Sequence, residues 1–285
     1  MPPDWRGTRL AGEANFPLLV KFIFPTDKLS LQVHPDDAYA SVHEKVAGGR
    51  GKTEMWHVVS ATAGAQLELG LKPGVNAEKF RGGLVSQTLE DLFAVHTVRA
   101  GDTFFVPAGT PHSIGPNMVI CEVQEYSDLT YRIYDFGRVD ALGKPRELHL
   151  EKALQVTNFG KPAGGNVTSL LLPAGSASRW LLAACRYFAT ERWEFSAKCE
   201  IAIDPERFEL IVILEGAGTL AWPDSAVRYH RSECWLVPAS QTRVDVLPEA
   251  STSLIRTYVP DIPVMRTKLH QAGVSAAALA QVFFD

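Results

Sequence analysis

Gln32 and His34 stand two residues apart in Leu31-Gln32-Val33-His34-Pro35, so on an extended strand both side chains leave one face while Leu31 and Val33 leave the other. Lys52 and Glu54 repeat that spacing in Gly51-Lys52-Thr53-Glu54-Met55-Trp56. A third stretch, Gly101 to His112, reads as a strand, a tight turn through Val106-Pro107-Ala108-Gly109 and a histidine that opens the next strand. Two imidazoles, a carboxylate and an amide oxygen make a ligand set suited to Zn²⁺. The coordination position left open for water or substrate marks a catalytic rather than a structural site. Taken singly each residue has an ordinary reading, since a lone strand histidine is more often a hydrogen-bonded core residue. The metal reading rests on Gln32, His34, Glu54 and His112 as a set.

Such a set needs several strands converging on one cavity. The chain has 22 Gly and 18 Pro that break it into short segments rich in β-branched, aliphatic and aromatic residues, which reads as antiparallel β. Candidate strands are Leu18 to Phe24, Leu31 to His34, Glu54 to Ser60, Gln66 to Leu71, Thr103 to Val106, Met118 to Glu125 and Tyr131 to Tyr134. Short helices are expected from near Asn76, over Thr88 to Phe93 with Thr88 as cap, and over Ser275 to Phe284.

The second half repeats the grammar of the first. Glu54 to Val59 is echoed by Glu209 to Leu214, and Val106-Pro107-Ala108 by Val237-Pro238-Ala239, which implies two related barrels in tandem. The echo fails at the chemistry: Arg243 stands where His112 would be repeated, and no Gln-x-His pair recurs. The expectation is therefore a catalytic metal-binding barrel over 1–159 and a degenerate, metal-free barrel over 160–285, with a linker from Asn158 to Asn166.

The 285 residues suffice for one large or two ordinary domains. A net charge of -4 argues against a nucleic-acid partner, so an anionic substrate must be met by a local group of Lys and Arg. Cys121, Cys185, Cys199 and Cys234 form no C-x-x-C pair and read as small buried side chains in a reducing cytoplasm. No secretory leader and no apolar run long enough for a membrane span is expected, which points to a cytoplasmic location.

Four motifs together resemble type I mannose-6-phosphate isomerases, in particular the short bacterial form. They are Leu29-Ser30-Leu31-Gln32-Val33-His34-Pro35-Asp36-Asp37, Gly51-Lys52-Thr53-Glu54-Met55-Trp56, Val106-Pro107-Ala108-Gly109-Thr110-Pro111-His112 and Ser127-Asp128-Leu129-Thr130-Tyr131-Arg132-Ile133-Tyr134-Asp135. The resemblance runs from about Phe16 to Phe159 and implies an all-β fold of tandem cupin (jelly-roll) barrels with a few short helices. It implies one zinc per chain on Gln32, His34, Glu54 and His112, an active-site arginine at Arg132, and further active-site positions at Lys21 and Lys52. The implied reaction interconverts mannose 6-phosphate and fructose 6-phosphate through a cis-enediol, with a small sugar phosphate as the partner and monomer or homodimer left open. The proton carrier is either Glu122 or Lys52.

Ordinary readings stand beside these. Arg132 has as its lesser alternative a surface pair with Asp128 or Asp135, and Glu122 suits a structural hydrogen bond as well as a catalytic role. Trp56 and Tyr131 read as core or cavity-wall aromatics, and His57 points to the strand face opposite Glu54. The segment before Phe16 is short and polar where family members carry further strands, so an unpaired sheet edge is expected. Two competing functions are a non-catalytic sugar-phosphate sensor, which has no need of Lys21, Lys52 and Arg132 in its cavity, and a metal oxygenase, which favours two histidines and one carboxylate.

Overall fold

Period-two alternation along the central strands turns one set of side chains into a shared interior, and that interior is where the expected ligands lie. The computed structural model describes residues 2–13, 15–160 and 164–284. The chain forms two compact units, Leu19–Asn166 and Met1–Leu18 with Val167–Asp285.

The unit Leu19–Asn166 is built from β1 (Leu18–Ile23), β2 (Leu31–Val33), β3 (Glu54–Ala61), β4 (Gln66–Leu71), β5 (Phe93–Thr97), β6 (Thr103–Val106), β7 (His112–Ile114), β8 (Met118–Glu125), β9 (Tyr131–Tyr134) and β10 (Gly165–Asn166). They make two five-stranded sheets, ordered β1-β8-β3-β6-β10 and β5-β4-β7-β2-β9. Trp56, Val58, Phe104, Val106 and Ile120 from the first sheet and Leu67, Leu69 and Ile114 from the second form one buried cluster between them. Full burial of each such side chain contributes about 1.5–3 kcal/mol. The outer face of the second sheet presents Leu31, Val33, Tyr131 and Ile133 to a second cluster with Phe80 and Ala153 from the helices Ala77–Ser86 and Leu150–Val156. With Leu31 and Val33 committed to the helices, Gln32 must face inward.

Most strands fall where expected, and the differences have local causes. The helix near Asn76 starts as foreseen, with the Asn76 side chain accepting from Lys79 N. Thr88 makes no side-chain cap, and the segment after it is a 3₁₀ turn over Leu89–Leu92 that delivers Phe93 into β5. At the C-terminal end the helix is only Ala276–Leu279, capped by Ser275. Among the described residues, four α-helices have no counterpart among the expected ones: Pro3–Arg6, Asp37–His43 behind the Asp36 cap, Leu150–Val156, and Ile262–Gln271, with the Asp261 cap and a proline in its first turn. Of the expected linker, residues 161–163 lie outside the described residues, while Gly165 and Asn166 pair with Phe105 and Phe104 of β6 and so belong to the first unit. Cys121, Cys185 and Cys199 are buried as expected, but Cys234 is exposed.

The other unit contains β11 (Leu170–Leu172), β12 (Ser178–Ala184), β13 (Ala189–Phe195), β14 (Cys199–Ala202), β15 (Glu209–Glu215), β16 (Gly218–Trp222), β17 (Ser225–Tyr229), β18 (Cys234–Val237), β19 (Arg243–Pro248) and β20 (Thr252–Tyr258). Its sheets are ordered β11-β12-β13-β20-β15-β18 and β14-β19-β16-β17. The N-terminal segment joins this unit rather than the first. Arg9 pairs with Glu206 and, at 3.0 Å, with Asp261, and Ala239 N donates to Trp5 O. At Gly7, with φ of +80°, a Cβ would meet the Glu206 backbone at 2.3 Å, so only glycine allows the approach.

The sequence echo is a register equivalence. Glu54 stands opposite Val106, and Glu209 opposite Val237. Where Trp56 faces Glu122 across β3 and β8, Ile211 faces Arg256 across β15 and β20. A guanidinium thus replaces a carboxylate. Arg256 grips Glu209 with two hydrogen bonds of 2.6 and 2.7 Å and lies 3.6 Å from Glu191, both glutamates being fully buried. Burial alone would raise the Glu191 carboxyl, but Arg256 and Arg179 hold it at about 2. Arg256→Ala would take from buried Glu209 its bidentate partner, leaving only Arg207 at 3.6 Å, and is expected to cost roughly 3–5 kcal/mol. A thermal melt checks it, and a midpoint within a degree or two of the parent would show that the pair carries no such load.

Candidate metal centre and active site

The ligand candidates come from three strands and the turn between β6 and β7. Gln32 of β2 stands directly opposite His112 of β7 and Arg132 of β9, so all three side chains share the inward face. Glu54 of β3 faces Gln124 of β8 on the same interior as Trp56. His112 is delivered by the turn at Gly109, whose N–H donates to His34 O at 2.8 Å. Gly109 has φ of +82°, and a Cβ there would meet Val156 O at 2.9 Å.

His34, Glu54 and His112 converge, with ligand atoms within 4.8 Å of one another and all three buried. His34 Nδ1 donates to Leu129 O at 2.7 Å and His112 Nδ1 to Thr110 O at 2.9 Å, which fixes both tautomers with the Nε2 lone pair facing the cluster. Burial lowers the basicity of His34, with the Lys52 ammonium adding to the effect, and burial pulls His112 down to about 3. Both rings are therefore neutral. Glu54 is buried, which would raise its carboxyl, yet the Lys52 ammonium 2.8 Å away outweighs this and holds it well below the usual range. The consequence is an electrostatic conflict. His34 Nε2 meets Glu54 Oε1 at 3.3 Å and His112 Nε2 meets Glu54 Oε2 at 3.8 Å, acceptor against acceptor with no proton between. His34 Nε2 and Glu54 Oε2 have no hydrogen-bond partner although they are buried. A cation resolves that conflict, and the donor set fits a divalent metal. Gln32 reaches the same centre, its Nε2 donating to His112 Nε2 at 3.3 Å, and a flip of the amide would turn its oxygen there instead.

The remaining expected site residues are gathered beside this cluster. Lys52 is buried against Glu54, and its ammonium is raised in pKa because Glu54 and Glu122 outweigh the desolvation that lowers it. Lys21 Nζ donates to Gln124 Oε1 at 2.8 Å and lies 3.8 Å from Glu122 Oε2. Burial, reinforced by the Glu54 charge, pushes the Glu122 carboxyl up to about 7. Arg132 donates through one guanidinium nitrogen to Glu147 O at 2.9 Å. The surface pair considered for it is taken by others, because Asp135 is bound by Arg138 and Arg146 and Asp128 approaches Lys21. A register shift in the β2–β9 pairing places Tyr134 opposite Leu31 with the helix-side cluster, so it does not share the face of Arg132 as simple alternation would have it. His57 binds Thr103 Oγ1 at 3.0 Å on the opposite face of β3, away from the cluster.

Two residues of the site were not recognised from sequence. Trp56, expected as a core or cavity-wall aromatic, also donates its Nε1–H to Glu122 Oε1 at 2.9 Å. Gln124 was passed over, although its position two residues after Glu122 on a strand places it on the same face.

A barrel of two five-stranded sheets enclosing a buried His-Glu-His cluster is a cupin-like fold with a candidate metal site. No family model matches the chain. It is 38% identical over 205 residues to the mannose-6-phosphate isomerase of Streptococcus mutans, covering 72% of this chain and 63% of that relative. It is 33% identical over 225 residues to mannose-6-phosphate isomerase ManA of Bacillus subtilis, covering 79% of this chain and 70% of the relative. The chain belongs to the mannose-6-phosphate isomerase family. The crystal structure of the mannose 6-phosphate isomerase from Bacillus subtilis superposes with a TM-score of 0.80 at 26% identity, over 88% of this chain and 78% of that one. Phosphomannose isomerase from Salmonella typhimurium, at 15% identity and a TM-score of 0.70, shares the fold. The chain spans 63% of the length of the Streptococcus mutans relative. No helix among the described residues is long and apolar enough to cross a membrane.

Proposed function

We propose that this chain interconverts mannose 6-phosphate and fructose 6-phosphate, with one zinc ion held by His34, Glu54, His112 and the amide oxygen of Gln32. The observation that carries the reading is the confrontation of buried lone pairs at His34, Glu54 and His112 beside three cations and a carboxyl poised near neutrality. Zinc, when bound, supplies Lewis acidity to the adjacent sugar oxygens.

Glu122 is the better of the two proton carriers considered. A carboxyl near 7 is deprotonated often enough to accept the C2 proton and protonated often enough to return it to C1. Lys52 remains an ammonium, tied to Glu54, and suits charge stabilisation instead. Removal of the C2 proton leaves its electron pair in the C1–C2 double bond of the enediol. Return of a proton to C1, with one proton gained at O1 and one lost from O2, gives the ketose. Arg132 and Lys21 meet the negative charge of the enediolate or the phosphate.

A coupled assay on purified protein with mannose 6-phosphate tests this directly. Turnover that disappears with a chelator and returns with Zn²⁺ is expected. Protein that binds zinc and sugar phosphate without turnover would make it a sensor.

A further inference from the structure

We propose that Trp56 is a positioning residue that confines the exchangeable proton of Glu122 to one carboxyl oxygen, Oε2. The inference rests on the reading above, in which Glu122 carries the proton. Trp56 and Glu122 stand directly opposite each other on β3 and β8, and both side chains enter the barrel interior. The indole Nε1 is 2.9 Å from Glu122 Oε1. An indole N–H donates and never accepts. The oxygen turned toward Trp56 is therefore an acceptor whether Glu122 is charged or neutral, and because a carbonyl oxygen accepts better than a hydroxyl oxygen, a proton on the carboxyl favours the other oxygen.

That other oxygen is kept available. Lys21 Nζ lies 3.8 Å from it, beyond hydrogen-bond reach, and is bonded to Gln124. The Gln124 amide is itself oriented, because its Nε2 donates to Glu125 O at 2.8 Å and to Ser127 O at 2.6 Å, which leaves Oε1 to receive Lys21. One oxygen of Glu122 is thus tethered to a fully buried ring, and the other stays free of a fixed donor beside a cation whose position is set. The ring that makes the tether also packs edge-on against His112, with centroids 5.0 Å apart, so the tethered carboxyl keeps its place relative to the metal centre. Without the tether the carboxyl would rotate, and its proton would be presented on either oxygen.

The test is a two-by-two set of Trp56→Phe and Glu122→Gln, assayed with zinc content and melting temperature recorded for each. Trp56→Phe removes the N–H together with part of the bicyclic ring, so the comparison between the two backgrounds, not the single loss, carries the test. We expect zinc content unchanged, kcat lowered roughly 10- to 100-fold and KM within about threefold, as for loss of one hydrogen bond to a charged group. In the Glu122→Gln background the same change should cost less than about twofold, because there is no proton left to place. Equal losses in the two backgrounds would make Trp56 a packing residue and overturn the inference, as would unchanged kcat in Trp56→Phe. Full turnover in Glu122→Gln would instead remove the proton-carrier reading, and the inference with it. If Phe does not support folding, benzothienylalanine at position 56 replaces the N–H with sulfur at constant shape and is read by the same criteria.

Discussion

His112→Ala is expected to strip the metal from the protein and to lower turnover by roughly 10³-fold or more, the scale on which a bound Lewis acid contributes. The reasoning starts from burial. His112 is fully buried and neutral, and its Nδ1–H is committed to Thr110 O, so the only use its environment leaves for Nε2 is to donate a lone pair toward Glu54 and Gln32. Removing the ring leaves His34, Glu54 and the neutral amide of Gln32, a weaker set that has lost one of its two imidazoles. The fold has no such dependence, because the core between the sheets is carried by Trp56, Phe104, Ile114 and their neighbours. His57→Gln is the matched control, since His57 occupies the opposite face of β3 on Thr103. Metal stoichiometry measured on both variants decides the matter. Retention of a full equivalent of zinc by His112→Ala would place the metal elsewhere.

Arg132→Ala should keep zinc and fold while turnover falls by roughly 10²-fold, the cost of losing one donor to developing charge. Arg132 shares its inward face with Gln32, which is itself opposite His112, so the guanidinium lies on the lining of the metal cavity. Its carboxylate neighbour Asp135 is already saturated by Arg138 and Arg146, and its own Nε is buried without a partner. Desolvation makes its charge costlier to hold, with the Arg146 charge adding to the effect, which is wasteful for an ornament and useful for binding an anion. Arg132→Lys should recover little, because an ammonium cannot reproduce the planar fork. The contact from Arg132 to Glu147 O supplies the competing account, support of the 147–149 segment. Melting temperature and zinc content separate the two: a variant that loses either along with activity has a structural residue at 132.

Several features of this protein are written in its sequence because they depend only on local geometry. Side chains two apart on a strand share a face, which paired Gln32 with His34 and Lys52 with Glu54 before any fold was known. The echo of Glu54 and Val106 in Glu209 and Val237 turned out to be an equivalence of strand register, since repeated sequence folds into repeated pairing. The helix at Ala77–Ser86 and the strands Gln66–Leu71, Thr103–Val106, Met118–Glu125 and Tyr131–Tyr134 were legible from caps, turns and β-branched runs.

Tertiary structure decided the rest, because burial and electrostatics are set by residues far apart in the chain. Nothing local indicates that Trp56 would donate to Glu122, 66 residues away, or that burial would bring that carboxyl to about 7 and leave His34 and His112 neutral. The role of Arg256 is equally non-local: only the pairing of β15 with β20 puts its guanidinium on Glu209, 47 residues earlier. The N-terminal segment belongs with Val167–Asp285 because Arg9 finds its carboxylates at Glu206 and Asp261, partners no window on the sequence contains. Alternation along a strand says which way a side chain points, while what it meets there, and so its charge and chemistry, is fixed only when distant strands close around it.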